Sequence, residues 1–341
     1  MKLKEAAVKH LRKVLTFSVT LLLMLVVVPV VTNAQMSRVK TVWVILMENH
    51  NWTGNDAGAS FGAPDIKGNP LAPYVNGTLL RTSAHAEQYF NPPGNHPRQP
   101  NYLWLEAGTN FGVFADTQPG QPPFNIGAKH LVRLLQNAGI SWRAYAEPDF
   151  GSPVFDTCPI DFTYLDVEHL AFVYFTDVAG EPPNPNSAEC IAHVRPYYQL
   201  ATDLANHTSA QYNFITPNVC HDGHEGTSPC DSTEPADNTL RGDTWLMQNV
   251  PLITESQEYQ EGGALFIIWD EAEDTDQFSD GPIGFFLLSP FAKGGGKTEY
   301  SNSIHYDHSS TLKTLQEIFK VGPLLGGAAD PHTNDLSDFF K

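Results

Sequence analysis

Basic residues are scarce in this sequence. After the first 34 residues, 15 lysines and arginines stand against 37 aspartates and glutamates, a net charge of −22 for that part of the chain. A chain with such an excess of acid repels polyanions at long range, which argues against non-specific binding to nucleic acid. A small anionic substrate is compatible with this composition only where a cation or local hydrogen-bond donors reverse the field.

Long apolar runs are also lacking, except at the N-terminus. Residues 14–31 are mostly apolar and follow a segment with five basic residues, and Thr32-Asn33-Ala34 then ends in a small residue. This order is typical of a secretory signal, so we interpret residues 1–34 as a signal peptide and residues 35–341 as the mature domain. The alternative is an uncleaved anchor, because the run approaches the length of a membrane span. With cleavage, we expect a secreted or periplasmic protein without a stable membrane anchor.

Cysteine is rare, with four residues and no Cys-x-x-Cys spacing. An even number of cysteines in an exported chain favours disulfides. Four cysteines allow three pairings, and we favour Cys158–Cys190 with Cys220–Cys230, because each pair closes a loop rich in proline, acidic residues and serine. The rival hypothesis is a zinc site made of all four thiolates, which lacks the spacing typical of such sites.

What the sequence does contain is an alternation of short apolar segments with helical patterns. Strands are predicted over residues 39–47, 141–145, 212–216, 264–269 and 283–288, and helices over 128–138, 194–204, 243–256 and 309–319. Long irregular stretches, interpreted as functional loops, are predicted over residues 50–100, 146–165, 178–190 and 219–240. The alternation predicts an α/β fold with a mostly parallel central sheet covered by helices on both faces, a three-layer α/β/α sandwich.

Two of the predicted strands end directly in acidic residues. Glu48 and Asn49 follow the first strand, and Asp270 and Glu271 follow a late one. In open α/β sheets, ligands collect outside the carboxyl ends of the strands. Brought together, these four side chains form an all-oxygen site whose carboxylates repel each other without a cation. Oxygen ligands favour hard divalent ions such as Mg²⁺, Ca²⁺ or Mn²⁺.

Several of the 13 histidines lie in polar, loop-like motifs. His221 and His224 flank Asp222 in a loop that a Cys220–Cys230 disulfide would hold, and His308 precedes a predicted helix. Histidines beside a divalent metal can hold a phosphoryl oxygen or protonate a leaving group. They can also bind zinc, so a mixed nitrogen and oxygen site with Zn²⁺ stays open.

An ordered set of motifs spans residues 40–320. These motifs are Glu48-Asn49-His50, His96-Pro97-Arg98-Gln99-Pro100-Asn101-Tyr102, Leu105-Glu106-Ala107-Gly108-Thr109, Asn213-Phe214-Ile215-Thr216-Pro217-Asn218, Cys220-His221-Asp222-Gly223-His224, Gly242-Asp243-Thr244-Trp245-Leu246, Trp269-Asp270-Glu271 and His308-Ser309-Ser310. Together and in this order, they resemble the bacterial and fungal acid phosphatase and phospholipase C group of phosphoesterases, which has an alkaline-phosphatase-like fold.

The resemblance implies that the chain is a hydrolase of phosphate esters. It implies that Glu48, Asn49, Asp270 and Glu271 bind a divalent metal. It also implies that His221, His224 and His308 line the phosphate site. We count these histidines, with Arg98 and Asn101 of the His96–Tyr102 motif, as the candidate catalytic residues. The implied mechanism uses a serine or threonine nucleophile and a phospho-enzyme.

The sequence departs from this pattern at the nucleophile. Relatives usually have serine or threonine at the position of Arg98, and a guanidinium presents only hydrogen-bond donors. Three interpretations stay open. Arg98 clamps phosphate while water attacks directly, another hydroxyl such as Thr109 or Thr82 replaces the nucleophile, or the site has kept anion binding without turnover. A second departure follows His169, where Leu170-Ala171 replaces the usual Asn-Pro, so we do not count His169 among the site residues.

These observations define the functional hypotheses. The first is an exported, metal-dependent phosphoesterase that prefers a small, soluble phosphomonoester. The second is a catalytically impaired protein that binds phosphate esters on the same scaffold, and the third is a phospholipase C. A sulfatase is a weaker hypothesis, since the sequence lacks the Cys-x-Pro-x-Arg activation motif.

Overall fold

The structure is a computed structural model that describes residues 34–53, 66–121, 126–224, 230–231, 233, 235, 237–272 and 281–340. The strands are β1 Thr41–Met47, β2 Ala84–Ala86, β3 Tyr89–Phe90, β4 Trp142–Ala146, β5 Val194–Pro196, β6 Tyr212–Thr216, β7 Gly263–Trp269, β8 Phe285–Leu288, β9 Tyr300–Asn302 and β10 Tyr306–Asp307. The α-helices are α1 Leu80–Thr82, α2 Gln99–Ala107, α3 Leu131–Asn137, α4 Thr176–Ala179, α5 Ala188–His193, α6 Gln199–Asn206, α7 Asn238–Thr254, α8 Gln257–Gln260 and α9 His308–Phe319.

Eight strands form one sheet in the order β5-β4-β6-β1-β7-β8-β2-β9. Neighbouring strands run parallel except at β8, which is antiparallel to both β7 and β2. The central strands β1 and β7 are buried over nearly their whole length, as expected for parallel strands covered on both faces. The sheet is therefore mostly parallel, as the sequence predicts.

Helices pack on both faces of this sheet. Trp43 of β1 lies 6.4 Å from Tyr259 of α8, measured between ring centroids, and Phe214 of β6 lies 6.3 Å from Tyr102 of α2. The register pairs Val44, the neighbour of Trp43, with Phe214, and successive residues of a strand point to opposite faces. Tyr259 and Tyr102 therefore cover opposite sides of the sheet. This arrangement confirms the predicted three-layer α/β/α fold.

Both predicted disulfides are present. Cys158 is bonded to Cys190 and Cys220 to Cys230, each pair with its Cα atoms 5.4 Å apart. The rival zinc site is therefore wrong, because disulfide sulfurs are not available as thiolate ligands. The Cys220–Cys230 bond closes the loop that carries His221 and His224, so it stabilises a segment of the candidate site.

The predicted secondary structure is confirmed for most strands and wrong at one helix. Residues 212–216 form β6 as predicted, and the first strand begins at Thr41 instead of residue 39. The predicted helix over 194–204 is wrong in its first half, where Val194–Pro196 forms β5 and α6 begins only at Gln199. β5 lies at the edge of the sheet. Pro196 is tolerated there because an edge strand has a neighbour on one side only, so the missing proline N–H does not interrupt the sheet.

The stretch predicted as irregular between residues 50 and 100 contains short regular elements. A π-helical turn over Val75–Leu79 leads into α1, and β2 and β3 follow. These elements are two to five residues long, too short for hydrophobic periodicity to indicate them.

Part of the targeting prediction lies outside the described residues. Residues 1–33, which carry nearly all of the predicted signal peptide, are not described, so its cleavage or retention as an anchor stays a prediction. Among the residues that are described, no helix has the length and apolar character needed to cross a membrane.

Candidate active site

The two predicted pairs of site residues lie on neighbouring strands. β1 and β7 pair in parallel with Met47 in register with Trp269, so the next residues leave the sheet side by side. The backbone N–H of Asn49 donates to Asp270 Oδ1 at 2.9 Å, and the backbone N–H of Asp270 donates to the Met47 carbonyl at 2.9 Å. Asn49 has a φ of 28°, a conformation that asparagine tolerates better than most residues. Sheet register has therefore brought both strand ends to one place.

Three oxygen atoms at this place are buried without a hydrogen-bond partner among the described residues. They are Glu48 Oε2, Asn49 Oδ1 and Asp270 Oδ2. Burial raises the pKa of both carboxyl groups well above their usual range. The charges of Glu48 and Glu271 raise the pKa of Asp270 further, and those of Asp222 and Glu271 raise the pKa of Glu48. Buried polar atoms are usually partnered, so three such oxygens on adjacent residues indicate a site built for a ligand.

The donor set fits a hard divalent cation. Two carboxylates and an amide oxygen are the ligands that Mg²⁺, Ca²⁺ and Mn²⁺ prefer. Among the described residues, however, no group of three or more histidine, cysteine, aspartate or glutamate side chains is arranged to hold a metal. Protein carboxylates would therefore supply only part of a coordination shell, with the Asn49 oxygen and non-protein oxygens completing it.

Glu271 has a different environment from Asp270. Its Oε2 accepts a hydrogen bond from Asn101 Nδ2 at 2.9 Å and lies 3.0 Å from His96 Nδ1. Asn101 is itself fixed, because its Nδ2 donates to the Asn95 carbonyl and its Oδ1 accepts from Asn95 Nδ2. The predicted catalytic Asn101 therefore orients Glu271, which can serve a metal only through Oε1.

Arg98 stands at the N-terminal end of α2, beside the strand-end acids. Its Nε lies 3.6 Å from Glu48 Oε2 and 3.8 Å from Asp116 Oδ2. The guanidinium lowers the pKa of Glu48 against the larger effect of burial. Arg98 thus brings positive charge to the place where the family pattern has a nucleophile.

Neither of the two proposed substitute hydroxyls is positioned at this place. Thr109 lies beyond the C-terminal end of α2, and the nine residues of that helix span about 14 Å. β2 is parallel to β7, because both are antiparallel to β8. Thr82 precedes β2, so it lies at the amino-terminal ends of these parallel strands, whereas Asp270 lies at the carboxyl end of β7. Its hydroxyl donates to the Thr78 carbonyl. The structure therefore places neither threonine beside the strand-end acids.

The three predicted histidines have different surroundings. His224 Nε2 lies 3.4 Å from Asn49 Nδ2, which places His224 at the strand-end acids. His308 is fully buried behind them, with Nε2 2.5 Å from the Asp270 carbonyl and Nδ1 3.1 Å from the Tyr89 hydroxyl. Burial lowers the pKa of His308 to about 4, so it is neutral at pH 7 and positions the Asp270 backbone.

His221 faces another environment. Its Nδ1 lies 2.9 Å from Glu147 Oε2, and both residues line a cavity beside α7. Glu147 directly follows β4, which is separated from β1 by β6. We call the strand-end residues Glu48, Asn49 and Asp270 the acidic centre. The structure brings His224 and His308 to this acidic centre and places His221 beside it.

Two residues without an assigned role contact Glu48. The Tyr102 hydroxyl donates to Glu48 Oε1 at 2.6 Å, and His169 Nε2 lies 3.5 Å from the same oxygen. The rings of Tyr102 and His169 stack with centroids 5.3 Å apart. Burial, with Arg98 and His224 nearby, lowers the pKa of His169 well below 6.5. Tyr102 belongs to one of the quoted motifs, so the sequence could have indicated its role. His169 was left out because Leu170-Ala171 follows it instead of the usual Asn-Pro.

The chain is similar to known phosphatases over most of its length. It is 29% identical over 263 residues to the phosphatidylinositol-3-phosphatase of Mycobacterium tuberculosis, an alignment that covers 75% of this chain and 74% of that protein. It is also 29% identical over 241 residues to a probable acid phosphatase of Kluyveromyces lactis, and 24% identical over 238 residues to a phosphate-repressible acid phosphatase of Penicillium chrysogenum. Each of these alignments covers 68% of this chain but only about half of the fungal protein, 50% and 51% respectively.

Solved structures with the same architecture are more distant in sequence. A protein of the alkaline phosphatase superfamily from Vibrio parahaemolyticus has a TM-score of 0.52 at 11% identity, covering 86% of this chain and 70% of that one. A lipoteichoic acid synthase from Listeria monocytogenes also has a TM-score of 0.52, at 10% identity, covering 90% of this chain and 76% of that one. At such identities the likeness shows the fold alone, which is alkaline-phosphatase-like as the motifs implied.

One family model matches most of the chain. The Phosphoesterase family model covers residues 73–322, a range that includes Arg98, Asp270 and His308 and begins after β1. The motifs, the fold and this match agree, so the chain belongs to the Phosphoesterase family, whose chemistry is the hydrolysis of phosphate esters.

Proposed function

We propose that this protein is an exported, metal-dependent phosphomonoesterase that acts on small phosphate esters. The observation that carries the proposal is the set of three buried oxygens of Glu48, Asn49 and Asp270 that lack a hydrogen-bond partner among the described residues, at the ends of two adjacent strands. In a hydrolase of phosphate esters, such a set has an evident use, because a cation held there attracts the substrate's negative charge in a strongly acidic protein.

Glu48, Asn49 and Asp270 would hold the metal, with Glu271 contributing through Oε1. Mg²⁺, Ca²⁺ and Mn²⁺ suit this oxygen set, and His224 beside Asn49 would allow Zn²⁺. When bound, the ion supplies charge stabilisation to the phosphoryl group. Tyr102 donates to Glu48, and His308 holds the Asp270 backbone, so both positions support the ligands.

Arg98 contributes phosphate binding instead of a nucleophile. Its guanidinium adjoins Glu48, and the geometry of five fixed donors suits phosphoryl oxygens. With Thr82 and Thr109 distant, we assign attack to a water molecule. Its oxygen bonds to phosphorus, the ester P–O bond breaks, and the leaving oxygen takes a proton from a histidine. One proton of the attacking water stays on the product phosphate, and the other is released to solvent, from which the histidine is protonated again. His96, held by the Glu271 carboxylate, is the donor that the geometry favours.

Export is supported by the two disulfides, since such bonds persist in oxidising compartments. The basic and apolar N-terminal segment gives the same indication. Expression in a bacterial host with an oxidising periplasm, followed by N-terminal sequencing of the exported product, tests this part of the proposal. We expect a mature N-terminus at residue 35, and retention of residues 1–34 in the membrane fraction would contradict it.

The activity is tested with p-nitrophenyl phosphate on the mature protein, loaded in turn with Mg²⁺, Ca²⁺, Mn²⁺ and Zn²⁺. We expect release of p-nitrophenol with at least one metal, loss of activity with chelator and recovery on re-addition. Phosphatidylcholine vesicles in a parallel assay report on the phospholipase C alternative. If neither substrate is hydrolysed with any of the four metals, the proposal is wrong.

Arg98 favours a second candidate, a phosphate-ester-binding protein without turnover. The substitution R98S restores the hydroxyl that relatives have, and R98K keeps the charge without the planar donor fork. If the wild type is inactive and R98S hydrolyses the aryl phosphate, the native protein is a binder. If the wild type is active and both substitutions raise KM, Arg98 binds phosphate as proposed.

A further inference from the structure

A polar cavity of about 210 Å³ lies beside the acidic centre and plays no part in the chemistry described so far. Glu147, directly after β4, and Tyr197, directly after β5, contribute to it from the carboxyl ends of parallel strands. Its other wall is α7, with Trp245, Gln248 and Asn249. The cavity therefore opens at the edge of the sheet that also carries Glu48 and Asp270.

The polar groups of this cavity are held in place by hydrogen bonds. Glu147 Oε2 accepts from the Asn218 backbone N–H at 3.1 Å and lies 2.9 Å from His221 Nδ1. The Tyr197 hydroxyl donates to Asn249 Oδ1 at 2.7 Å, and Asn249 Nδ2 donates to the Trp245 carbonyl at 2.8 Å. A site whose groups are ordered before binding loses less entropy when a ligand arrives.

The charged groups of the cavity do not select an anion. Glu147 presents a carboxylate, which repels phosphate. Arg241 also lines the cavity, but its Nε donates to the Cys220 carbonyl and its Nη1 to the Pro235 carbonyl, both at 3.0 Å. The guanidinium is thus directed at the loop of the second disulfide, and its positive charge stands against the negative charge of Glu147. A neutral occupant that hydrogen-bonds to the Glu147 carboxylate and to the Gln248 amide therefore suits this lining.

Two aromatic rings give the cavity an apolar side. The rings of Tyr197 and Trp245 lie 5.4 Å apart between centroids, with an angle of 42° between their planes. A carboxylate, side-chain amides and aromatic rings around one cavity suit a ligand with many hydroxyls and a C–H face, such as a sugar ring. The Gln248 amide, on the exposed side of α7, completes the polar lining.

The cavity lies close enough to the acidic centre for one substrate to reach both. β4 is next to β6 and β6 is next to β1, so two strand spacings, about 10 Å, separate their ends. His221 in the cavity and His224 at the acidic centre belong to one loop. We propose that this cavity binds the alcohol part of the substrate, and that the preferred substrates are phosphate esters of polyhydroxylated alcohols such as sugars. This inference rests on the proposed phosphoesterase function.

The test is a specificity ratio, the kcat/KM for glucose 6-phosphate divided by that for p-nitrophenyl phosphate. We expect Q248L and E147Q each to lower this ratio about tenfold, since each removes or weakens one hydrogen bond to a hydroxyl. The matched control is Q257L, which makes the same change on α8, away from the cavity, and should leave both activities unchanged. An unaltered ratio in both cavity variants would overturn the inference.

A second measurement needs no turnover. Saturation-transfer NMR with methyl glucoside, which carries no phosphate, should show contact with the wild type and with Q257L but a weaker signal with Q248L. Absence of contact with the wild type would overturn the inference even if phosphate esters are hydrolysed. Contact without hydrolysis of any ester would instead contradict the proposed function and leave the assignment of the cavity supported.

Discussion

Two clusters of ionisable groups in the described part of the chain each contain a fully buried carboxylate, and they differ in how completely their hydrogen bonds are satisfied. In the His130 cluster, formed by His130, Glu106 and Asp177, His130 Nδ1 lies 2.7 Å from Glu106 Oε1 and Nε2 lies 2.9 Å from Asp177 Oδ1. Glu106 also accepts from the Val132 N–H, and Asp177 from Arg133 Nε. In the acidic centre, Glu48, Asn49 and Asp270 each keep one oxygen without a hydrogen-bond partner among the described residues.

Burial and charge alone do not separate these clusters. Burial raises the pKa of Glu106 as it raises the pKa of Glu48, and both residues are almost inaccessible to solvent. The difference is that His130 hydrogen-bonds to both carboxylates of its cluster, whereas Asp270 Oδ2 has no hydrogen-bond partner among the described residues and Glu48 Oε2 has only the Arg98 guanidinium at 3.6 Å. Unused acceptor capacity, more than burial, therefore distinguishes a binding site from a structural ion pair.

The strongest way to break the comparison is to neutralise one residue of the acidic centre. D270N keeps the shape of the side chain and removes a charge that repels Glu48 and Glu271. We expect hydrolysis of p-nitrophenyl phosphate to fall about 10³-fold, which corresponds to about 4 kcal/mol of transition-state stabilisation. Thermal unfolding should show an unchanged or higher melting temperature, because repulsion is relieved.

E106Q is the matched control for that substitution, since it neutralises a buried carboxylate of the other cluster. We expect lower stability and near wild-type kcat for the folded fraction. If D270N destabilises the protein and E106Q abolishes turnover, the assignment of the two clusters is reversed.

The two disulfides sharpen the comparison, because one closes the loop of the acidic centre and the other does not. Their cysteines are separated by 32 residues for Cys158–Cys190 and by 10 for Cys220–Cys230. Chain entropy predicts that replacing the first pair by alanine costs about 4 kcal/mol and the second about 3 kcal/mol. Urea unfolding measures both losses.

The losses of activity in the two disulfide variants should follow the opposite order to their losses of stability. Loss of Cys220–Cys230 frees the loop with His221 and His224, so kcat/KM should fall more in that variant, measured on folded protein. Equal losses of activity in the two variants would show that this loop does not position site residues.

Removal of the central residue of the His130 cluster tests the other side of the comparison. H130A leaves two carboxylates without their shared partner and removes a ring that stacks on Phe175 at 3.9 Å. We expect a loss of about 3 kcal/mol in unfolding free energy, with kcat retained. H332Q, at a side chain that is 93% exposed, is the control and should leave stability unchanged.

The smallest expected effect is the pH dependence of that loss. Burial lowers the pKa of His130, but hydrogen bonds and charges from Asp177 and Glu106 outweigh it and raise the pKa above 6.5. The stabilisation by protonated His130 is therefore complete below pH 6.5 and disappears as pH rises through the raised value. The stability difference between the wild type and H130A should shrink over that range in urea unfolding. A difference that grows with pH would show that His130 is neutral in the folded protein.

Much of the fold and of the acidic centre was predictable from the sequence. The ends of β1 and β7 were recognisable because apolar, β-branched runs stop at acidic residues, and such local patterns survive folding. The disulfide pairing was also predictable, since loop composition favoured the observed pairs. The strand β5 was missed, because a three-residue edge strand has no periodicity of its own.

Other features were decided by tertiary structure alone. Strand direction places Thr82 at the amino-terminal ends of the parallel strands, away from the acidic centre, and the length of α2 separates Thr109 from Arg98. Packing turns His169 towards Glu48 and His221 towards Glu147. Local sequence determines which residues end a strand, because that depends on neighbours along the chain. Which strand ends meet depends on pairing between distant segments, and only the folded sheet specifies it.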